Sequence, residues 1–135
     1  MDFHTVRARI LDDHARLREG LAAIESLAEQ FEKGGADVGN ELRDQGIALC
    51  ELFASHLSFE DAQLTPLLRA LPRNGNELAE RLVREHREQR ELLSFLVGRL
   101  GEESRPTSLI ARELTGFCEH LRLDMEHEET SVLRR

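Results

Sequence analysis

A chain of 135 residues with 40% hydrophobic and 33% charged side chains is long enough to bury one hydrophobic core and too short for two domains. Its formal charge of −8 at pH 7 argues against nucleic acid or an anionic membrane as a partner, since both attract basic patches. With only two cysteines, Cys50 and Cys118, and no apolar run of membrane-spanning length, the sequence argues against a disulfide framework, a thiolate zinc site and a transmembrane helix, and the expected location is cytoplasmic.

Leu, Ala, Glu and Arg dominate, while Tyr and Trp are absent, a composition that favours helix over sheet. Breaks rich in glycine and proline at 33–40, 71–76 and 101–108 divide the chain into four predicted helices, 3–32, 41–70, 77–100 and 107–133. Asn40 and Asn76 suit N-caps, and Pro106 with Thr107 or Ser108 suits a helix start. Short connections between long helices make neighbours antiparallel, so the expected architecture is an all-α, up-down-up-down four-helix bundle formed by residues 1–135 as one domain.

Helix 1 carries an apolar seam at the three-and-four spacing of a buried face, Val6, Ile10, Leu17, Leu21, Ile24, Ala28 and Phe31, broken at His14. Helix 2 runs Leu42, Leu49, Phe53, Leu64 and Leu67, broken at His56 and Glu60. Pro66 lies just beyond and is expected to kink or end that helix, having no backbone N–H to donate. Helix 3 runs Leu78, Leu82, Leu93, Leu96 and Leu100, with His86 and Gln89 in the gap. Helix 4 runs Ile110, Leu114, Phe117, Leu121 and Val132, broken by Asp124 and Glu128, with His120 at the edge of the seam.

Counting from the third loop places His86 and His120 level. Two stretches share one pattern: Phe53 to Glu60 and Phe117 to Asp124 both read Phe-x-x-His-Leu-x-apolar-acid. Residues four apart lie one turn apart on one helix face, so each stretch sets an imidazole beside a carboxylate. Asp13-His14 and Glu85-His86 open a second matching pair of segments, and helices 1–2 and 3–4 read as two copies of a helix pair. The pooled polar residues, His14, His56, Glu60, His86, His120 and Asp124, with Glu128 in reserve, form a set able to hold two first-row metal ions with carboxylates between them. A donor set of imidazole and carboxylate without thiolate suits iron or manganese, with zinc as a substitute. A lone histidine on an apolar seam is more often a hydrogen-bonded core residue; four seams broken at compatible heights favour metal. Cys50 and Cys118 fall off the His/acid face and read as ordinary packing or partly exposed thiols. His4 and His127 read as exposed or edge residues, and Arg18 and Arg90 as solvated surface.

These residues resemble the hemerythrin-like (HHE cation-binding) domains. The similarity rests on His14, on His56-Leu57-Ser58-Phe59-Glu60-Asp61-Ala62-Gln63-Leu64-Thr65-Pro66, on His86 and on the 120–129 stretch, and it covers nearly the whole chain. It implies a non-haem di-iron centre of the Fe-O-Fe type that meets dioxygen, nitric oxide or peroxide, for sensing, storage or detoxification; the lack of Tyr and Trp favours binding over turnover, with a weak peroxide or oxidase activity left open. Two departures stand out. Arg90 occupies the place of a second helix 3 histidine in oxygen-carrying hemerythrins, and helix 4 has two registers. One register makes His120 and Asp124 the ligands; the other makes Glu128 the bridge and puts Asp124 where the family has histidine. The first keeps four histidines and repeats the helix 2 pattern, and is the preferred one. The alternatives are a metal-free or single-ion helical module working through a protein partner and, less favoured, an iron oxidase or storage protein.

Overall fold

The structure, a computed structural model, describes residues 1–35 and 37–134. Four helices, α1 (Phe3–Glu32), α2 (Gly39–Arg69), α3 (Gly75–Leu100) and α4 (Thr107–Thr130), are followed by a single 3-10 turn, Val132–Arg134. They form the expected up-down-up-down bundle. α1 packs against α2 and α4, α2 against α3, and α3 and α4 form the loosest of the adjacent pairs. Among the described residues no helix is long and apolar enough to cross a membrane.

The helix ends follow local chemistry. Asp2 caps α1 by accepting the Thr5 N–H at 2.8 Å, and Gly34, at φ 78°, supplies the left-handed residue that closes its far end. α2 and α3 begin at Gly39 and Gly75, ahead of the expected asparagine caps. Val38 and Asn74 stand at the cap positions, Asn74 in the left-handed region at φ 58°. α2 is not broken at Pro66 and continues to Arg69; so close to the helix end, the missing donor forfeits a single bond. α4 stops at Thr130 rather than 133. Thr130 Oγ1 and Ser131 Oγ donate to the carbonyl of His127 at 3.2 and 2.6 Å, side-chain bonds that compete with helix continuation.

The core has two apolar layers. The larger includes Leu17, Leu21, Ile24, Leu49, Phe53, Leu57, Leu93, Leu114, Phe117 and Leu121, and the smaller comprises Val6, Ile10, Leu64, Leu68, Ala79, Leu82 and Leu133. Each fully buried Leu or Ile stabilises the bundle by roughly 1.5–3 kcal/mol. His14, His56, Glu60 and His86 lie between the layers along the chain, and all four are buried. The core therefore pins a polar layer from above and below.

The third connection shifts α4 along the bundle. Gln89 pairs with Asp124, although Gln89 stands closer to the end of α3 than Asp124 does to the start of α4. α4 thus begins about six residues, or about 9 Å, beyond the last turn of α3. His86 is accordingly level with the Glu128 turn and not with His120. Arg43 fixes this connection: its Nη2 lies 3.0–3.1 Å from the carbonyl oxygens of Glu102, Glu103 and Arg105, while Arg105 pairs with Glu113 on α4.

Candidate metal centre

The one-turn spacing on α2 sets His56 and Glu60 side by side, with His56 Nε2 3.5 Å from Glu60 Oε2. α1 contributes His14, whose Nε2 lies 3.0 Å from Glu128 Oε1 on α4. One donor atom from each of His14, His56, Glu60 and Glu128 lies within 4.8 Å of the other three. Four ligands held at ~2.1 Å in a tetrahedral site lie about 3.4 Å from one another, so closure by at most about 1.4 Å brings these donors onto one ion. His86 on α3 meets Glu60 from the other side, its Nε2 3.0 Å from Oε1.

Each histidine is fixed from behind by a carboxylate. His56 Nδ1 is 3.0 Å from Asp13 Oδ2, His14 Nδ1 is 2.6 Å from Glu129 Oε2, and His86 Nδ1 is 2.6 Å from Asp61 Oδ1. Donation from Nδ1 turns all three Nε2 atoms towards Glu60 and Glu128, the orientation a histidine ligand needs. Arg18 pairs with Glu129 at 2.9 Å and Arg90 pairs with Asp61. His14–Glu129–Arg18 and His86–Asp61–Arg90 are thus matching arrays on opposite sides of the layer, each with its histidine and arginine one turn apart. Arg18 and Arg90 are partly exposed, as expected, but they are paired rather than merely solvated.

The electrostatics at Glu60 point to a cation. Burial, reinforced by the neighbouring Glu128 carboxylate, raises the Glu60 carboxyl well above its usual range, whereas burial depresses the His56 imidazole despite Asp13. His56 is then neutral, its Nδ1–H donating to Asp13 and its Nε2 lone pair facing Glu60. Glu60 keeps its proton against the ionised Glu128, and its Oε2, buried and without a fixed hydrogen-bond partner, stands opposite that lone pair. Two electron-pair donors facing each other in a dry interior suit a metal ion. Glu128 differs: burial would raise it, but His14 and Glu60 outweigh this and keep it ionised. His14 is shifted upward, with Glu128 and Glu129 overcoming its burial.

Of the residues predicted from sequence, His14, His56, Glu60 and Glu128 converge, and His86 adjoins them through Glu60. His120 does not. Its side chain is 52% exposed and its Nε2 lies 3.1 Å from Asp124 Oδ2, an oxygen that also accepts from Gln89 Nε2 at 2.8 Å. On helix 4 it is Glu128, and neither His120 nor Asp124, that reaches the cluster. The reason is helical phase: the buried α4 positions run Leu114, Cys118, Leu121, Met125, and Glu128 continues them, whereas His120 precedes Leu121 by one residue and is rotated about 100° away. Asp124 and His120 line, together with His14, His56, Glu60, His86 and Glu128, a cavity of about 450 Å³ that extends from the histidine layer along the cleft between α3 and α4. His4 and His127 are exposed, and both cysteines are fully buried, so neither thiol is partly exposed.

Sequence reading missed the backing role of Asp13, Asp61 and Glu129. A signal was present: Asp61 and Glu129 directly follow the two carboxylates at the centre. Consecutive helical residues are separated by about 100°, so the first acid of each pair turns inward and the second reaches the histidine of a neighbouring helix.

No curated protein and no solved structure matches the chain. The profile described as the Hemerythrin HHE cation binding domain matches residues 5–135, and with a four-helix bundle enclosing a His/Glu cluster suited to a metal cation, the chain belongs to that family.

Proposed function

We propose that this protein is a non-haem di-iron protein that binds dioxygen or a related small molecule, nitric oxide or peroxide, for sensing, storage or detoxification. The observation that carries the reading is the unpartnered Glu60 Oε2 opposite His56 Nε2, inside a layer where three histidines are each backed by a carboxylate. His14, His56, Glu60 and Glu128 would hold one ion. His86, the other oxygen of Glu60 and Asp124 would serve the second, with His120 acting through Asp124. The chemistry that reduced iron supplies at such a centre is reversible binding of, or electron transfer to, a small molecule.

The chain provides the surroundings. Phe53, Leu57, Leu92, Leu121 and Met125 line the cavity beside the histidines and exclude bulk water, while Arg81, Glu85 and Glu88 contribute charged groups to the same cleft. The absence of Tyr and Trp removes the usual side-chain electron relays and favours binding over turnover. One observation favours a second reading, a single-ion protein: the four tightly grouped donors converge on one position.

Anaerobic loading with ferrous iron, metal analysis and visible spectra before and after exposure to oxygen test the proposal. Expected are about two irons per chain, which a donor set of imidazole and carboxylate suits, and near-ultraviolet oxo-to-iron charge-transfer bands that appear with oxygen. Failure to retain iron, or retention of unchanged iron content and spectrum in His56→Ala, overturns it.

A further inference from the structure

Glu60 and Glu128 face unequal surroundings. On one side, His14 and His56 bring two imidazoles to within 4.8 Å of both carboxylates, and the contacts an ion would replace there, His14 Nε2 to Glu128 Oε1 at 3.0 Å and His56 Nε2 to Glu60 Oε2 at 3.5 Å, are between its own ligands. On the other side His86 is, among the described residues, the one histidine that contacts Glu60. The next candidate donor there, Asp124, is already engaged: Gln89 Nε2 donates to its Oδ2 at 2.8 Å and His120 Nε2 lies 3.1 Å from the same atom. The Asp124 side chain is 34% exposed, so it gives up hydration as well as these contacts if it turns to an ion. His86 itself is tied to Asp61 and, through it, to Arg90.

We propose, building on the di-iron reading, that the two ions bind in separate steps: a first, tight ion at His14, His56, Glu60 and Glu128, and a second, at least tenfold weaker, at His86 and Asp124. Three physical differences act in the same direction. The first position offers two imidazoles to the other's one; its donors are preorganised, so little ordering is left to binding; and a second cation arrives where the carboxylates are already neutralised by the first. The singly loaded protein is then a distinct state across a wide span of metal concentration, and chemistry that needs two ions is confined to high metal supply.

Zinc titration of the chelator-treated full chain, followed by calorimetry and by native mass spectrometry to count ions, tests this without oxygen chemistry. Two steps at least tenfold apart in Kd are expected. Asp124→His, at a partly exposed position that leaves the core intact, should tighten the second step and leave the first unchanged. His86→Ala should remove the second step alone, and His14→Ala should weaken the first, with circular dichroism verifying the helical fold of each variant. Two ions bound at one common affinity overturn the inequality while leaving the two-ion reading intact. Saturation at one ion overturns both. Loss of the first step in a folded His86→Ala protein overturns the assignment of the positions.

Discussion

Asp13 Oδ2 lies 3.0 Å from His56 Nδ1 across the α1–α2 interface, and both side chains are buried. Asp13 also accepts from Arg9 Nε at 3.1 Å. The contact fixes the His56 tautomer and presents Nε2 to the centre, although Asp13 itself is adjacent in sequence to His14. Asp13→Asn keeps the shape but removes the charge and the acceptor strength. It should weaken metal binding by roughly 10–100-fold while the bundle remains folded. Competition against a chelator of known affinity, with circular dichroism as control, provides the measurement, and an unchanged affinity would remove Asp13 from the site.

Glu60 gives the metal-free protein a pH dependence of definite sign. Its folded-state value is raised by burial and by Glu128, so the unfolded chain releases this proton at lower pH than the folded one. Below the usual carboxyl range Glu60 costs nothing; as pH rises from there towards the raised value, folding is increasingly penalised, by ~1.4 kcal/mol for each tenfold difference in proton affinity. Glu60→Gln removes the penalty and a central donor together. Chelator-treated Glu60→Gln should therefore be more stable than wild type, by a margin that widens between pH 4.5 and 7, and should no longer take up metal. Urea unfolding at several pH values measures the margin; a constant difference would contradict the assignment.

Glycines separate backbone clashes from simple flexibility. A Cβ at Gly75 would meet the Leu68 carbonyl oxygen at 2.3 Å, whereas Gly98 and Gly116, on exposed helical faces, have nothing within 4 Å. Gly75→Ala should cost about 1–3 kcal/mol. Gly98→Ala and Gly116→Ala should each stabilise by roughly 0.5–1 kcal/mol through reduced chain entropy. Thermal melts of the three variants should move in these opposite directions.

The two cysteines should be inert. Burial pushes the Cys50 thiol up to about 11 and the Cys118 thiol up to about 12, leaving almost no thiolate at neutral pH. A disulfide-exchange reagent should react slowly with the native protein and with both thiols once it is unfolded. Rapid reaction of the native protein would show that the core opens around α2 and α4.

The helices and four of the five clustered polar groups were legible in sequence because an apolar seam at helical spacing makes any polar interruption conspicuous. His14, His56, Glu60 and His86 are such interruptions, and all are buried between apolar layers. Glu128 was visible only as one of two options: it continues the buried phase of α4, but its height opposite His14 depends on how far α4 slides past α3, which the 101–106 connection sets. Asp13, Asp61 and Glu129 were hidden for another reason. Each supports a histidine on a different helix, so its role depends on packing between helices, which spacing along one helix does not encode. Arg18 and Arg90 are similar: exposed enough to read as surface, yet paired with the acids behind His14 and His86.

The Arg43 clasp on the third connection has a reach beyond the loop it holds. Helix 4 carries two latent donor sets offset by four residues, His120 with Asp124 and Asp124 with Glu128, so a slide of about 6 Å would exchange one for the other. A guanidinium at the far end of the bundle thus works as the detent of a vernier. It holds Glu128 rather than His120 opposite His14, and makes the length of a surface loop part of what decides which helix 4 side chain meets the histidines.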